Sequence, residues 1–163
     1  MVFHRDRRTR LFATGLVALL GAACGLLPAQ SKYPGECDEG QLRRGVQSFI
    51  AAVNAGDRAG IRGALSDRFL FYAAQTTPSD GFTTAGPDLT IERLIELHGQ
   101  GERMTLRRVG YNGFTRWSGD TGFEYDLDRQ IGSRVVHQVG KGAVECNSGT
   151  ARLVLWGMGF VTR

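Results

Sequence analysis

Residues 46–57 read Val46-Gln47-Ser48-Phe49-Ile50-Ala51-Ala52-Val53-Asn54-Ala55-Gly56-Asp57, and this stretch decides the fold. Val46, Phe49, Ile50 and Val53 recur at steps of three and four, the period of a helix with one apolar face. Leu42 extends that face back by a turn, and Arg43, Arg44 and Gln47 fall opposite it. Asp38 stands where an N-cap belongs, with Gln41 three residues on as in a capping box. Asn54-Ala55-Gly56 ends the helix, because glycine takes up the left-handed conformation of a helix stop without strain. Asp57 then caps a second, short helix whose buried stripe is Ile61, Ala64 and Leu65.

Downstream, Phe69-Leu70-Phe71-Tyr72 reads as a short aromatic strand. Thr76 to Pro87 gathers proline, glycine, serine and threonine into a long loop suited to covering a pocket. Thr90 is expected to cap a third helix carrying Ile91, Leu94, Ile95 and His98, ended by Gly99 and Gly101. After Glu102 the apolar period changes from helical to alternating. Met104 to Trp117 forms a strand with Gly110 and Gly113 at bulges or bends. Phe123, Tyr125 and Leu127 alternate with Glu124, Asp126 and Asp128 in a half-buried strand. Gln138 to Cys146 and Thr150 to Gly157 pair as a hairpin about Asn147-Ser148-Gly149. That register sets Glu145 against Arg152, Cys146 against Ala151 and Val144 against Leu153. Strict alternation then puts Val144, Cys146, Leu153 and Leu155 on one face, and Val154 and Trp156 on the back of the sheet. Helices followed by a run of strands make an α+β domain, here residues 38–163.

Upstream, residues 1–24 have the three parts of a signal peptide. Arginines 5, 7, 8 and 10 precede the apolar run Leu11 to Leu20, and Gly21-Ala22-Ala23 leads to Cys24. The last four resemble a bacterial lipobox, which implies a diacylglyceryl thioether on Cys24 and a membrane anchor. The alternatives are cleavage after Ala29, giving a soluble secreted chain, or an uncleaved N-terminal anchor. Residues 25–37 follow as an aperiodic tether. The chain has 163 residues and a formal charge of +4. Four arginines against Asp6 hold +3 of that in the signal segment, leaving the exported part at +1. With no basic run to grip phosphates, nucleic acid is not an expected partner. Three cysteines leave one over in an exported protein. With Cys24 lipidated, Cys37 and Cys146 remain, and an oxidising compartment favours their disulfide; two free buried thiols are the alternative.

The run Val46-x-x-Phe49-Ile50-x-Ala52-Val53-Asn54-Ala55-Gly56-Asp57, continued through Ile61-x-x-x-Leu65 to Phe69-Leu70-Phe71, resembles the opening of the nuclear-transport-factor-2-like (NTF2-like) superfamily and its SnoaL-like branch. The resemblance covers about Asp38 to Phe160. It implies a curved, mostly antiparallel sheet forming a cone around about three N-terminal helices, with a pocket opening between them. It also implies dimers through the outer face of the sheet, where Val154 and Trp156 are expected. Exported lipoprotein versions belong to the superfamily, and this chain looks like one.

Enzymes of the superfamily, among them ketosteroid isomerases, epoxide hydrolases and polyketide cyclases, use Asp, Tyr or His inside an apolar cone, where burial shifts their acidity. The residues of that chemistry here are Tyr72, His98 and Tyr125, with Asp126 and His137 behind them. Each also has a plainer role. Tyr72 suits a pocket rim, His98 a helix C-terminus, Tyr125 core packing with Phe123 and Leu127, and His137 an exposed or structural site. Asp126 has the parity of the outer face. The pocket wall is expected from Phe49, Val53, Phe71, Tyr72, Phe123, Tyr125 and Leu153. The inward face of the first helix has no polar group, unlike that of an isomerase. No G-x-S-x-G, His-Glu-x-x-His or phosphate loop occurs, and three histidines lack ligand spacing, so neither metal nor cofactor is expected. The reading is an exported, lipid-anchored, non-catalytic domain that binds a small apolar ligand or an envelope protein. A SnoaL-like enzyme of isomerase, cyclase or hydrolase type is the alternative.

Overall fold

The computed structural model describes residues 37–73, 84–115, 119–147 and 149–158. The signal segment, Cys24, the tether before Cys37 and most of the expected lid lie outside them. Helix α1 spans Glu39–Ala55, with the capping box in place: the Asp38 carboxylate accepts from Gln41 N at 2.7 Å, and Gln41 Oε1 accepts from Asp38 N at 2.9 Å. Leu42, Val46, Phe49, Ile50 and Val53 are its buried face. Gly56 closes the helix at φ 64°, its N–H donating to Ala52 and Val53. Asn54 does more than end the helix. Its amide donates to Met104 O at 2.7 Å and accepts from Met104 N at 2.8 Å, so the side chain pairs with strand backbone and pins α1 to the sheet.

Helix α2 spans Arg58–Ala64, capped by Asp57, whose carboxylate accepts from Gly60 N. Leu65 opens strand β1, Leu65–Ala73, rather than closing α2. A two-residue strand β2, Thr84–Ala85, pairs with β1 inside the expected loop. Helix α3 is Pro87–Gly99, one turn longer than expected. Its N-cap is Gly86, because Pro87 has no N–H to lose at the first helical position, and Thr90 lies within the helix. Strands β3 (Arg103–Thr115), β4 (Thr121–Ile131), β5 (Arg134–Asn147) and β6 (Thr150–Met158) follow. The described strands form one curved sheet in the order β2-β1-β6-β5-β4-β3, antiparallel except for β1 against β6.

The β5–β6 hairpin has the expected pairs Glu145–Arg152, Cys146–Ala151 and Val144–Leu153. The next pair is Ala143–Leu155, so two residues of β6, Leu153 and Val154, oppose Val144. That extra residue is a β-bulge, and it inverts the alternation beyond it. Leu155 therefore lies on the outer face, level with Leu70 of β1, and Trp156 turns inward, 4% exposed. The placement of Trp156 on the back of the sheet is corrected, and Val154 is itself buried.

The disulfide joins Cys37 to Cys146 with Cα atoms 5.2 Å apart. Cys37 N also donates to Thr121 Oγ1 at 2.8 Å. At the same end of the sheet Arg68 donates to both Asp120 and Glu145. These two carboxylates, Asp120 first, raise the affinity of its guanidinium for its proton. Arg152 donates twice to the Leu65 carbonyl. This network holds the part of β1 where its register with β6 slips.

Candidate functional site

The inner face of the sheet is built in cross-strand rows. In the first, Thr121, Val144, Leu153 and Leu65 are fully buried beneath α1. In the second, Phe123 pairs with Gly142, Gly142 with Trp156, and Trp156 with Phe71. In the third, Val109 pairs with Tyr125, Tyr125 with Gly140, and Gly140 with Met158. The glycines matter because a Cβ on Gly142 would overlap the Phe123 ring, and one on Gly140 the Tyr125 ring and the Gly157 carbonyl. Two strand glycines thus let two aromatic rings lie flat across their neighbours. Tyr125 stacks on Trp156 with centroids 4.1 Å apart, and Phe49 of α1 meets Trp156 at 5.2 Å. These rings form the floor of the cone. Beyond them Leu127, Gln138 and Met104 are buried, and Leu106, Val136 and Met158 are half-buried.

Phe49, Val53, Phe123, Tyr125 and Leu153 all point inward as expected, and they pack against one another in the core. Phe71 is half-buried on the same side. Tyr72 is not part of this wall. It is 49% exposed on the outer face, because adjacent strand residues point to opposite sides and Phe71 takes the inner one. The Tyr125 hydroxyl donates to Gly157 O at 3.0 Å. Burial pushes its phenol well above the usual tyrosine range, an effect that nearby Arg129 partly opposes. His98 lies against the α1 cap, where a side chain on Gly56 would strike its ring, and its Nδ1 is buried without a hydrogen-bond partner. Tyr72, outside the sheet, therefore shares no cavity with Tyr125 inside it. Asp126 has the outward parity expected of it. His137 stands on the same outer face with partners that sequence proximity did not suggest: Nδ1 is 3.0 Å from Asp128 Oδ1, and Nε2 is 3.2 Å from Asp126 Oδ1. Arg107 first, then His137, holds the Asp128 carboxyl below the usual range. Among the described residues no His, Cys, Asp or Glu cluster could hold a metal ion.

No protein-family model and no curated protein matches this sequence. Solved structures do. A protein of unknown function with a cystatin-like fold from Methylobium petroleophilum PM1 superposes with TM-score 0.60 at 13% identity, over 80% of this chain and 81% of that one. An NTF2-like protein of unknown function from Pseudomonas putida KT2440 gives TM-score 0.57 at 12% identity, over 74% and 84%. The fold is NTF2-like. An LEH-like epoxide hydrolase from M. tuberculosis shares it, with TM-score 0.52 at 23% identity over 75% and 79%.

Within the NTF2-like cone, the described polar groups of the inner face are largely engaged by the protein. Thr121 accepts from Cys37 and Tyr125 donates to Gly157. Arg129 donates to Glu102 through two bonds of 2.7 and 2.9 Å, and Glu102 is almost fully buried. Gln138 is the exception. It is 4% exposed, it faces Leu127 across the ladder, and its Oε1 has no hydrogen-bond partner. Sequence reasoning missed both Gln138 and the Glu102–Arg129 pair. The signal was available: Gln138 shares the parity of Gly140 and Gly142, and Arg129 that of Tyr125 and Leu127.

Proposed function

We propose that this chain is an exported, lipid-anchored, non-catalytic binding domain that takes a small, mostly apolar ligand into its cone. One observation carries the reading: the described polar side chains on the inner face of the sheet are bonded to the protein itself, Gln138 excepted, while His98 lies on α3 against the α1 cap. Opening an epoxide ring or moving a proton along a carbon skeleton needs a base and an acid that converge on one reacting centre. Here the Tyr125 hydroxyl is bound to backbone and Tyr72 lies outside. The enzyme reading keeps the support of the epoxide hydrolase that shares the fold, and fold alone does not fix function. Pairing with a second copy or an envelope protein would use the outer face at Leu70, Tyr72 and Leu155, in place of Val154 and Trp156.

Intact mass of the protein from a membrane fraction, measured denatured and then native, tests this. A chain starting at Cys24, heavier by a diacylglyceryl group and carrying a small noncovalent apolar molecule, is the expected result. A chain starting after Ala29 without lipid overturns the anchor. A bound molecule recovered chemically altered after incubation overturns the non-catalytic reading.

A further inference from the structure

We infer that Gln138 is the polar anchor of the ligand site in the cone, and that the ligand is a neutral, mostly apolar molecule presenting one hydrogen-bond donor, a hydroxyl or an N–H. The inference rests on the proposal that the cone is a ligand site, and it adds what that ligand must carry.

Gln138 is nine-tenths buried and more, and its carbonyl oxygen is left without a donor. Native proteins rarely leave such an atom unsatisfied, so the missing partner is sought outside the described protein groups. Its surroundings are apolar. Gln138 pairs with Leu127, and Leu127 with Leu106. Along the same face of β5 its neighbours are Val136 and Gly140. The aromatic floor ends one row before it, at Tyr125. Gln138 thus stands on the inner face beyond the aromatic floor, beside fully buried Leu127 and with half-buried Leu106, Val136 and Met158 nearby.

The charge of the ligand follows from the next row. Arg129 is held by Glu102, so the pair presents no unbalanced charge to a neighbour. A charged ligand would be desolvated there without a counter-ion. A neutral ligand with one donor satisfies the amide oxygen and leaves its carbon skeleton to the leucines and Met158. A hydroxyl serves well because it can also accept from the amide NH2.

The test compares 1-hexanol with its isomer methyl pentyl ether, which has the same atoms and no donor. Both are titrated into the full chain in lipid nanodiscs, with the Gln138 side-chain amide and the Leu127 backbone amide followed by NMR. Wild type is expected to bind the alcohol about tenfold more tightly than the ether, the worth of one buried hydrogen bond. Gln138→Leu is expected to bind both equally, and to melt no lower than wild type, since it replaces an unsatisfied amide with an apolar group of similar size. Partition into lipid is common to both proteins and drops out of the comparison. Equal affinities in wild type overturn the anchor and leave the cone as a site. A lower melting temperature for Gln138→Leu also overturns it, because the amide would then be in use in the empty protein. Failure of both probes to bind overturns the anchor together with the ligand-site proposal.

Discussion

The hydroxyl of Tyr125 donates to the Gly157 carbonyl in the interior, where water cannot replace the bond. Tyr125→Phe keeps the stacking on Trp156 and deletes only that bond. It is expected to lower the free energy of unfolding by about 1–2 kcal/mol, because Gly157 O is left without its donor. Urea denaturation measures this, and an unchanged midpoint would deny the bond a structural role. Alkaline pH gives a second readout. Burial raises the phenol above its unfolded value of about 10, so the folded state keeps its proton where the unfolded chain has released it. The stability tied to this group is fully present below pH about 10 and is lost as pH rises through the folded value. Tyr125→Phe should therefore flatten the alkaline limb of the stability profile. The neighbouring glycine makes the complementary case: Gly140→Ala puts a methyl group into the Tyr125 ring and the Gly157 carbonyl. It is expected to cost about 1–3 kcal/mol as overpacking, measured in the same titration.

At the scale of the element, strand β6 shows what a sequence pattern can and cannot carry. Deleting Val154 would remove the bulge and make Leu153 and Leu155 neighbours opposite Val144 and Ala143, so Trp156 and Met158 would keep their inward facing. The expected result is a cooperative thermal transition that is retained but lowered by the loss of buried Val154, followed by circular dichroism. Loss of the cooperative transition would show that the strand needs the bulge itself and not only the facing it sets. Alternation alone could not reveal this insertion, because a bulge is visible only against the partner strand, in the step from Val144–Leu153 to Ala143–Leu155. Helix α1 was legible for the opposite reason. Its apolar period, capping box and left-handed Gly56 are all local, and each is found as read. The same distinction separates the site residues. Phe49, Phe123 and Tyr125 were legible as inward from periodicity, whereas Tyr72 was placed with Phe71 although neighbours on a strand part to opposite faces. Gln138 was invisible as an unpaired group, since lacking a partner is a property of the assembled sheet. His137 was likewise read as partnerless because Asp128 reaches it only across the β4–β5 ladder.

For the whole molecule, the decisive feature is how the chain enters its domain. Cys37 begins the described structure, and three ties hold it: the disulfide to Cys146, the hydrogen bond to Thr121, and Asp38 capping α1 next to it. The cysteines are 109 residues apart in sequence, so the link restricts almost the entire unfolded domain. A loop of that length is worth about 3–5 kcal/mol in the chain-entropy account. Opening the bond should leave the sheet and helices in place, because Leu42, Val46 and Phe49 pack α1 onto the sheet independently of it. Urea unfolding with and without a thiol reductant is therefore expected to show one cooperative transition in each case, with the midpoint lower in the reduced protein. The double variant Cys37→Ala, Cys146→Ala should match the reduced protein and ignore the reductant. Coincident midpoints for oxidised and reduced wild type would mean that the link does not constrain the unfolded chain. In the proposed tethered form, Cys37 is where a pull passed along the chain would meet the disulfide. The disulfide and the Thr121 bond would pass that load to β5 and β4 before it reached the first turn of α1.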